Sequence, residues 1–209
     1  MRLILASTSP RRHELLALLG LPFDVVTPPF IEQVQPHLSA DEQAVAFAAG
    51  KARSCLSICP DALILGSDTL ISLGSEVLGK PIDLAGAEAM LRRLAGRKHR
   101  IVTAVALAGP DSARCEARLA EVLVTMKPLN QAALAAYLRT GDSLGKAGAY
   151  SIQGQGADFI ERIEGDFTAA VGLPLRLGAE MLHQRGLSCP VDIDHLYARR
   201  PYPNWDRFR

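Results

Sequence analysis

Short apolar runs alternating with helical stripes set the plan of this chain. Arg2–Ala6 is brief and almost wholly apolar, the pattern of a buried strand. Ser7–Arg12 turns polar, and His13–Leu19 then carries Leu15, Leu16, Leu18 and Leu19 at helical spacing before Gly20 stops it. Phe23–Thr27 reads as a second strand closed by Pro28 and Pro29, and Phe30–Leu38 as irregular chain. Ser39 followed by Glu42 fits a capping box, opening an alanine-rich helix that runs to about Ser57. Leu63–Gly66 is another buried strand, ending in Ser67, Asp68 and Thr69, and Leu70–Leu73 is a candidate continuation. Gly79–Pro81 is a loop and Leu84–Leu94 a helix closed by Gly96. Arg100–Leu107 and Glu121–Met126 follow as strands, and Asn130–Arg139 as a helix stopped by Gly141. After a glycine-rich passage, Phe159–Ile163 reads as a strand, Glu164–Asp166 as a turn and Pro174–Gln184 as the last long helix.

Strands alternating with helices predict an α/β protein with a mixed sheet. Neither repeats nor low-complexity linkers interrupt it. Residues 1–189 read as one domain, and the tail 190–209 changes character. There Arg199, Arg200, Arg207 and Arg209 mix with Tyr197, Tyr202 and Trp205. Basic aromatic segments can contact nucleic acid, but a terminal tail more often packs on its own domain or is loosely ordered.

The whole chain argues against a nucleic-acid coat. Its 209 residues hold 23 basic and 22 acidic side chains, net +1, whereas nucleic-acid binders carry a clear basic excess. A small anionic ligand needs only a local cluster of cations. No stretch approaches the roughly 20 apolar residues that span a membrane, and the first apolar run is too short for the core of a signal peptide. Cys55, Cys59, Cys115 and Cys189 lack zinc-site spacing, so reduced thiols in a cytoplasmic protein are expected.

Four constellations carry candidate chemistry. Ser7-Thr8-Ser9-Pro10-Arg11-Arg12 lies between a strand and a helix, where hydroxyls and main-chain N–H groups make an anion site. Cations are disfavoured at a helix N-terminus, so Arg11 and Arg12 there suggest bidentate phosphate contacts. The glycines of a P-loop are absent. In Gly66-Ser67-Asp68-Thr69, Asp68 at a strand's carboxyl end suits metal binding or water activation, or simply caps a turn. Glu32 is a candidate second carboxylate on the same metal. Lys51, Lys80 and Lys146 are flexible point charges suited to triphosphate oxygens, although most lysines are ordinary surface charges. Lys146–Gly156 has glycines that admit a close ligand, and Gln153 offers a paired donor and acceptor to a base edge. The five histidines are isolated from one another.

Five motifs together resemble the Maf family of nucleotide pyrophosphatases. They are LASTSPRRHELL (Leu5–Leu16), GSDT (Gly66–Thr69), GKP (Gly79–Pro81), KAGAYSIQGQG (Lys146–Gly156) and VGLPL (Val171–Leu175), in order and leaving only the tail uncovered. The resemblance implies an elongated mixed α/β sheet flanked by helices, two lobes around a central cleft, and often a homodimer. It implies divalent-metal-dependent (Mg²⁺ or Mn²⁺) cleavage of nucleoside triphosphates between the α- and β-phosphates, an activity linked to nucleotide-pool cleansing and septum arrest. Asp68 matches the family's catalytic acid and Glu32 a metal ligand. Arg12, Thr69 and Gln153 match positions tied to substrate choice, and Ser7, Arg11, Lys51 and Lys80 match other cleft positions that face phosphate. Thr69 and Gln153 resemble the branch acting on dTTP and UTP; the 7-methyl-GTP branch shows glutamine and glutamate there. Gly50 and Gly145 stand where glutamate and aspartate are common, which leaves a weakly catalytic nucleotide-binding regulator as the alternative to an enzyme.

Overall fold

The computed structural model describes residues 1–110 and 115–208. These form a seven-stranded mixed sheet. Its strands are β1 (Leu3–Ala6), β2 (Asp24–Val26), β3 (Leu63–Leu73), β4 (Glu76–Leu78), β5 (Lys98–Ala108), β6 (Cys115–Met126) and β7 (Ile160–Gly165). The order is β2-β1-β3-β5-β6-β7, with β4 also paired to β3. β1 runs parallel to β2 and β3, and every other pairing is antiparallel. The α/β sheet flanked by helices is therefore as the sequence pattern predicts.

Strand periodicity divides the interior into two cores. Leu3, Leu5, Leu63, Leu65, Val105 and Leu107 face the larger one, together with α1 (Pro10–Ala17), α3 (Leu84–Leu94), α4 (Gln131–Arg139) and α6 (Leu175–Gln184). Ile4, Ala6, Ile64, Val102 and Ala104 face the smaller one, which is closed by α2 (Ala40–Ser54). The capping box that opens α2 is complete: Ser39 Oγ accepts from Glu42 N at 3.2 Å, and Ser39 N donates to Glu42 Oε2 at 2.9 Å. Alanines at 44, 48 and 52 let α2 lie almost on the sheet. A Cβ at Gly66 would meet Ala48 O at 2.3 Å and Ala52 N at 2.8 Å, both backbone atoms, so only glycine fits there.

Several elements differ from the pattern reading. β3 does not end before Ser67 but runs on to Leu73, because β5 pairs with it from Ile64 to Ser72. Asp68 therefore sits within a strand and not at its carboxyl end. β6 starts at Cys115, six residues earlier than its apolar stripe, because Glu116–Ala120 continue the ladder with β5. β7 takes in Glu164 and Gly165, read from sequence as a turn; Gly165 (φ +120°) pairs with Val122. β4, α5 (Phe167–Val171) and α7 (Ile193–Arg199) are too short to leave a periodic signal. The tail packs onto its own domain: Leu196, Tyr202 and Trp205 are buried in the larger core, and Trp205 stacks on Phe167 at 5.6 Å. Arg209 lies outside the described residues. Among the described residues no helix is long and apolar enough to cross a membrane.

Candidate active site

The cleft follows from the strand registers. On one edge of β3, β1 pairs only as far as Gly66, and β4 begins to pair only at Ile71. Ser67–Leu70 therefore has a neighbouring strand on the β5 side alone. Into this gap opens a cavity of about 990 Å³, lined by every residue singled out above as a candidate for the site. That is near the top of the roughly 300–1,000 Å³ range of ligand pockets.

On the α2 side, Lys51 Nζ lies 2.5 Å from Asp68 Oδ1 and 2.6 Å from Glu32 Oε1. Gly66 explains the first contact. Gly66 and Asp68 share a face of β3, and the close seating of Ala48 and Ala52 on Gly66 brings Lys51 down onto Asp68. Burial pushes the Asp68 carboxyl above its usual range, against the pull of Lys51 and Arg12 and with help from Glu32. Burial also raises Glu32, but the Lys51 hydrogen bond and the charges of Lys51, Lys80 and Arg12 outweigh it and hold Glu32 low. Only Oδ1 of Asp68 is engaged, so Oδ2 has no hydrogen-bond partner among the described residues.

On the opposite face, Arg12 Nη2 donates to Thr69 Oγ1 at 3.1 Å and Arg12 Nε to Gly172 O at 2.9 Å. Gly172 (φ +134°) turns its carbonyl inward, where Ser67 Oγ also donates to it at 3.0 Å. This is the structural use of the VGLPL motif. Thr103, opposite Thr69 in the ladder, lies 3.0 Å from Thr69 Oγ1 and 2.8 Å from Ala169 O. Thr103 has one hydroxyl proton and a carbonyl only accepts. The proton of Thr103 therefore goes to Ala169, and Thr69 donates to Thr103. Sequence reading missed Thr103, an ordinary threonine in an apolar strand; only the register reveals it. Burial lowers the Arg12 pKa, as does the neighbouring charge of Arg11, against the pull of Asp68 and Glu32.

The remaining candidates complete the walls. Ser7 is buried, and its Oγ accepts from Ser9 N at 3.1 Å. Ser9 places no side-chain cap on α1, Pro10 brings no N–H, and the first turn holds no acidic residue. The N–H groups of Arg11 and Arg12 are thus left for an anion. Arg11 Nε is buried without a partner among the described residues. Exposed Lys80 and half-buried Gln153 line the opening. Among the described residues Arg11, Arg12 and Lys80 take part in no ion pair.

The two glycine departures have local answers. A Cβ at Gly50 would lie 2.2 Å from the Phe30 ring, so an aromatic side chain takes that space. Lys146, preceded by Gly145, finds its acid in Asp142 Oδ1 at 2.8 Å.

Together these features define an α/β protein whose cleft sets arginine and lysine side chains and a helix N-terminus beside a buried carboxylate. The chain belongs to the Maf family: residues 2–185 match the family described as Maf-like protein. It is 43% identical to the dTTP/UTP pyrophosphatase of Bacillus velezensis over 174 residues, 83% of this chain and 91% of the relative. The dTTP/UTP pyrophosphatase of Symbiobacterium thermophilum is 44% identical over 88% of this chain and 94% of its own length. That of Escherichia coli O157:H7 is 45% identical over 86% and 91%.

Proposed function

We propose that this protein hydrolyses dTTP and UTP to the monophosphate and pyrophosphate. The observation that carries the reading is the Lys51 bridge between Asp68 and Glu32, set in a cleft where, among the described residues, Arg11, Arg12 and Lys80 have no acidic partner. The printed names of the relatives support the same substrates.

Asp68 is the general base. Burial makes it a better proton acceptor, Lys51 favours its ionised form, and its free Oδ2 takes the proton of the attacking water. Water adds to the α-phosphorus and the bond to the bridging oxygen breaks. Arg11, Arg12, Lys80 and the first-turn N–H groups of α1, beside Ser7, stabilise charge on the departing pyrophosphate. The Gln153 side chain reads the pyrimidine edge, donating to a carbonyl and accepting from N3–H. Thr69, held from both sides by Arg12 and Thr103, fixes the shape of the base site.

The donor set fits a divalent cation. Two carboxylates already converge on one ammonium. Among the described residues no cluster of three or more acidic, histidine or cysteine ligands is present. Two carboxylates supplemented by substrate phosphates is the usual setting for Mg²⁺. Glu32, with the Asp68 oxygen that does not take the proton, would hold Mg²⁺ or Mn²⁺, which would neutralise the triphosphate and polarise water.

Asp68→Asn tests the reading, since it keeps the shape and removes the base. Turnover of UTP should vanish while the far-UV spectrum and unfolding temperature stay put; undiminished hydrolysis sinks the assignment. A second reading, a nucleotide-binding regulator with little catalysis, draws on Phe30 filling the space beside Gly50 and adding no third carboxylate. It requires tight UTP binding with no pyrophosphate released in Mn²⁺.

A further inference from the structure

The tail lies beyond the span that matches the family, residues 2–185, yet it reaches the cleft. After α7, Arg200 (φ +49°) and Asn204 (φ +65°) adopt left-handed backbone that turns the chain back over the domain. Tyr202 and Trp205 anchor that turn in the core. The Asn204 side-chain amide then donates to two successive carbonyls, Ile152 O at 2.9 Å and Gln153 O at 3.0 Å. Among the described residues neither carbonyl accepts any other hydrogen bond. Tyr202 donates its hydroxyl to Glu14 Oε2 at 2.7 Å, on the helix that carries Arg11 and Arg12, and the same hydroxyl lies within the influence of the Gln153 side-chain amide.

We infer that the C-terminal tail is a positioning clamp for nucleotide recognition, with Asn204 fixing the Ile152–Gln153 backbone and Tyr202 tying that loop to α1. This rests on the reading of Gln153 as the residue that meets the base. The physical case is one of preorganisation. Ile152–Gln153 lies in irregular chain after a glycine-rich passage, with no strand or helix to hold it. One amide group, supplying two protons to two adjacent carbonyls, fixes the orientation of both peptide planes. The direction of the Gln153 side chain follows from that backbone. A loop held before substrate arrives does not spend binding energy on being ordered. Among the described residues the Asn204 side chain hydrogen-bonds only to Ile152 O and Gln153 O, so the chemistry at Asp68 is not its concern.

The full-length protein carrying Asn204→Gly keeps the left-handed backbone and loses only the amide. Asn204→Asp keeps the shape and sets an acceptor against two carbonyls. Both should raise KM for UTP by about tenfold, the equivalent of about 1.4 kcal/mol, and narrow the preference for UTP over CTP. Neither should change kcat by more than about twofold, with Asp the more severe. Gln153→Ala is the reference. A selectivity loss in Gln153→Ala with none in either Asn204 variant overturns the clamp and leaves Gln153 its role. Unchanged selectivity in Gln153→Ala overturns that role, and the clamp with it. A lowered unfolding temperature with kcat reduced and KM intact makes the tail a structural brace only, which also overturns the proposal.

Discussion

Replacing Lys51 by methionine removes one charge from between two carboxylates while keeping a side chain of similar length. In the native site Lys51 Nζ is 2.5 Å from Asp68 and 2.6 Å from Glu32. A cation this close lowers a carboxylate pKa by about 1–3 units, each unit being about 1.4 kcal/mol. Burial already holds Asp68 above its usual range, and Glu32 pushes it the same way. Without Lys51 nothing at hydrogen-bond distance opposes either effect. The base works only when ionised, so the rate falls as pH drops through its pKa. In Lys51→Met that fall should begin at higher pH than in the wild type, because the charge that lowers the Asp68 pKa is gone. Below both limbs the variant should be slower by about a factor of ten for each pH unit between the limbs. The assay is pyrophosphate release from UTP between pH 5 and 10, with kcat/KM plotted against pH. Loss of a phosphate contact alone would raise KM equally at every pH. If the acid limbs coincide and only KM differs, Lys51 is a phosphate ligand and the coupling to Asp68 is wrong.

Three further outcomes follow from the geometry. Gly66→Ala drives a methyl against Ala48 O and Ala52 N; overpacking of this kind costs about 1–3 kcal/mol. It should also lift Lys51 away from Asp68, so thermal unfolding and turnover should both fall; a fully active, equally stable variant refutes the seating argument. Thr103→Val leaves Ala169 O and the Thr69 hydroxyl without their partner, at about 1–3 kcal/mol. Its discrimination among nucleotides should weaken as well, which a competition assay reads directly. His99, buried beside Tyr150 at 2.7 Å, has its pKa pushed down by burial to about 4 from 6.5. Because the unfolded chain binds that proton more readily, this stability is present above about pH 6.5 and lost as pH falls through about 4, some ~3 kcal/mol in all. Denaturant titrations of His99→Gln should show that much less acid loss over the same window.

The sheet and its long helices were readable because their signals are local. Apolar runs at Leu3–Ala6 and Leu63–Leu65, the Ser39–Glu42 box and the stripe of α3 each declare themselves within a few residues. What depends on pairing partners was not. Whether β3 stops at Gly66 or continues is decided by β5, thirty-odd residues later, and that decides where Asp68 sits. Thr103 matters only because the ladder sets it opposite Thr69. The tail looked like a basic aromatic appendage because its arginines are conspicuous in sequence. In the structure its aromatic side chains and Asn204 bind the tail to the domain, and of its arginines Arg207 pairs with Asp158 at 2.9 Å. The candidate residues of the site were legible as motifs, and the structure brings them to one cleft. The Gly66 seating that couples Lys51 to Asp68 shows only once α2 is laid on the sheet.

The most direct test is product analysis with dTTP, UTP, CTP, GTP and 7-methyl-GTP, in Mg²⁺ and in Mn²⁺, comparing the wild type with Asp68→Asn. The account requires rapid release of pyrophosphate and the monophosphate from dTTP and UTP, slow turnover of the others, and none with Asp68→Asn. Release of inorganic phosphate instead, a preference for 7-methyl-GTP, or silence on every nucleotide would contradict it.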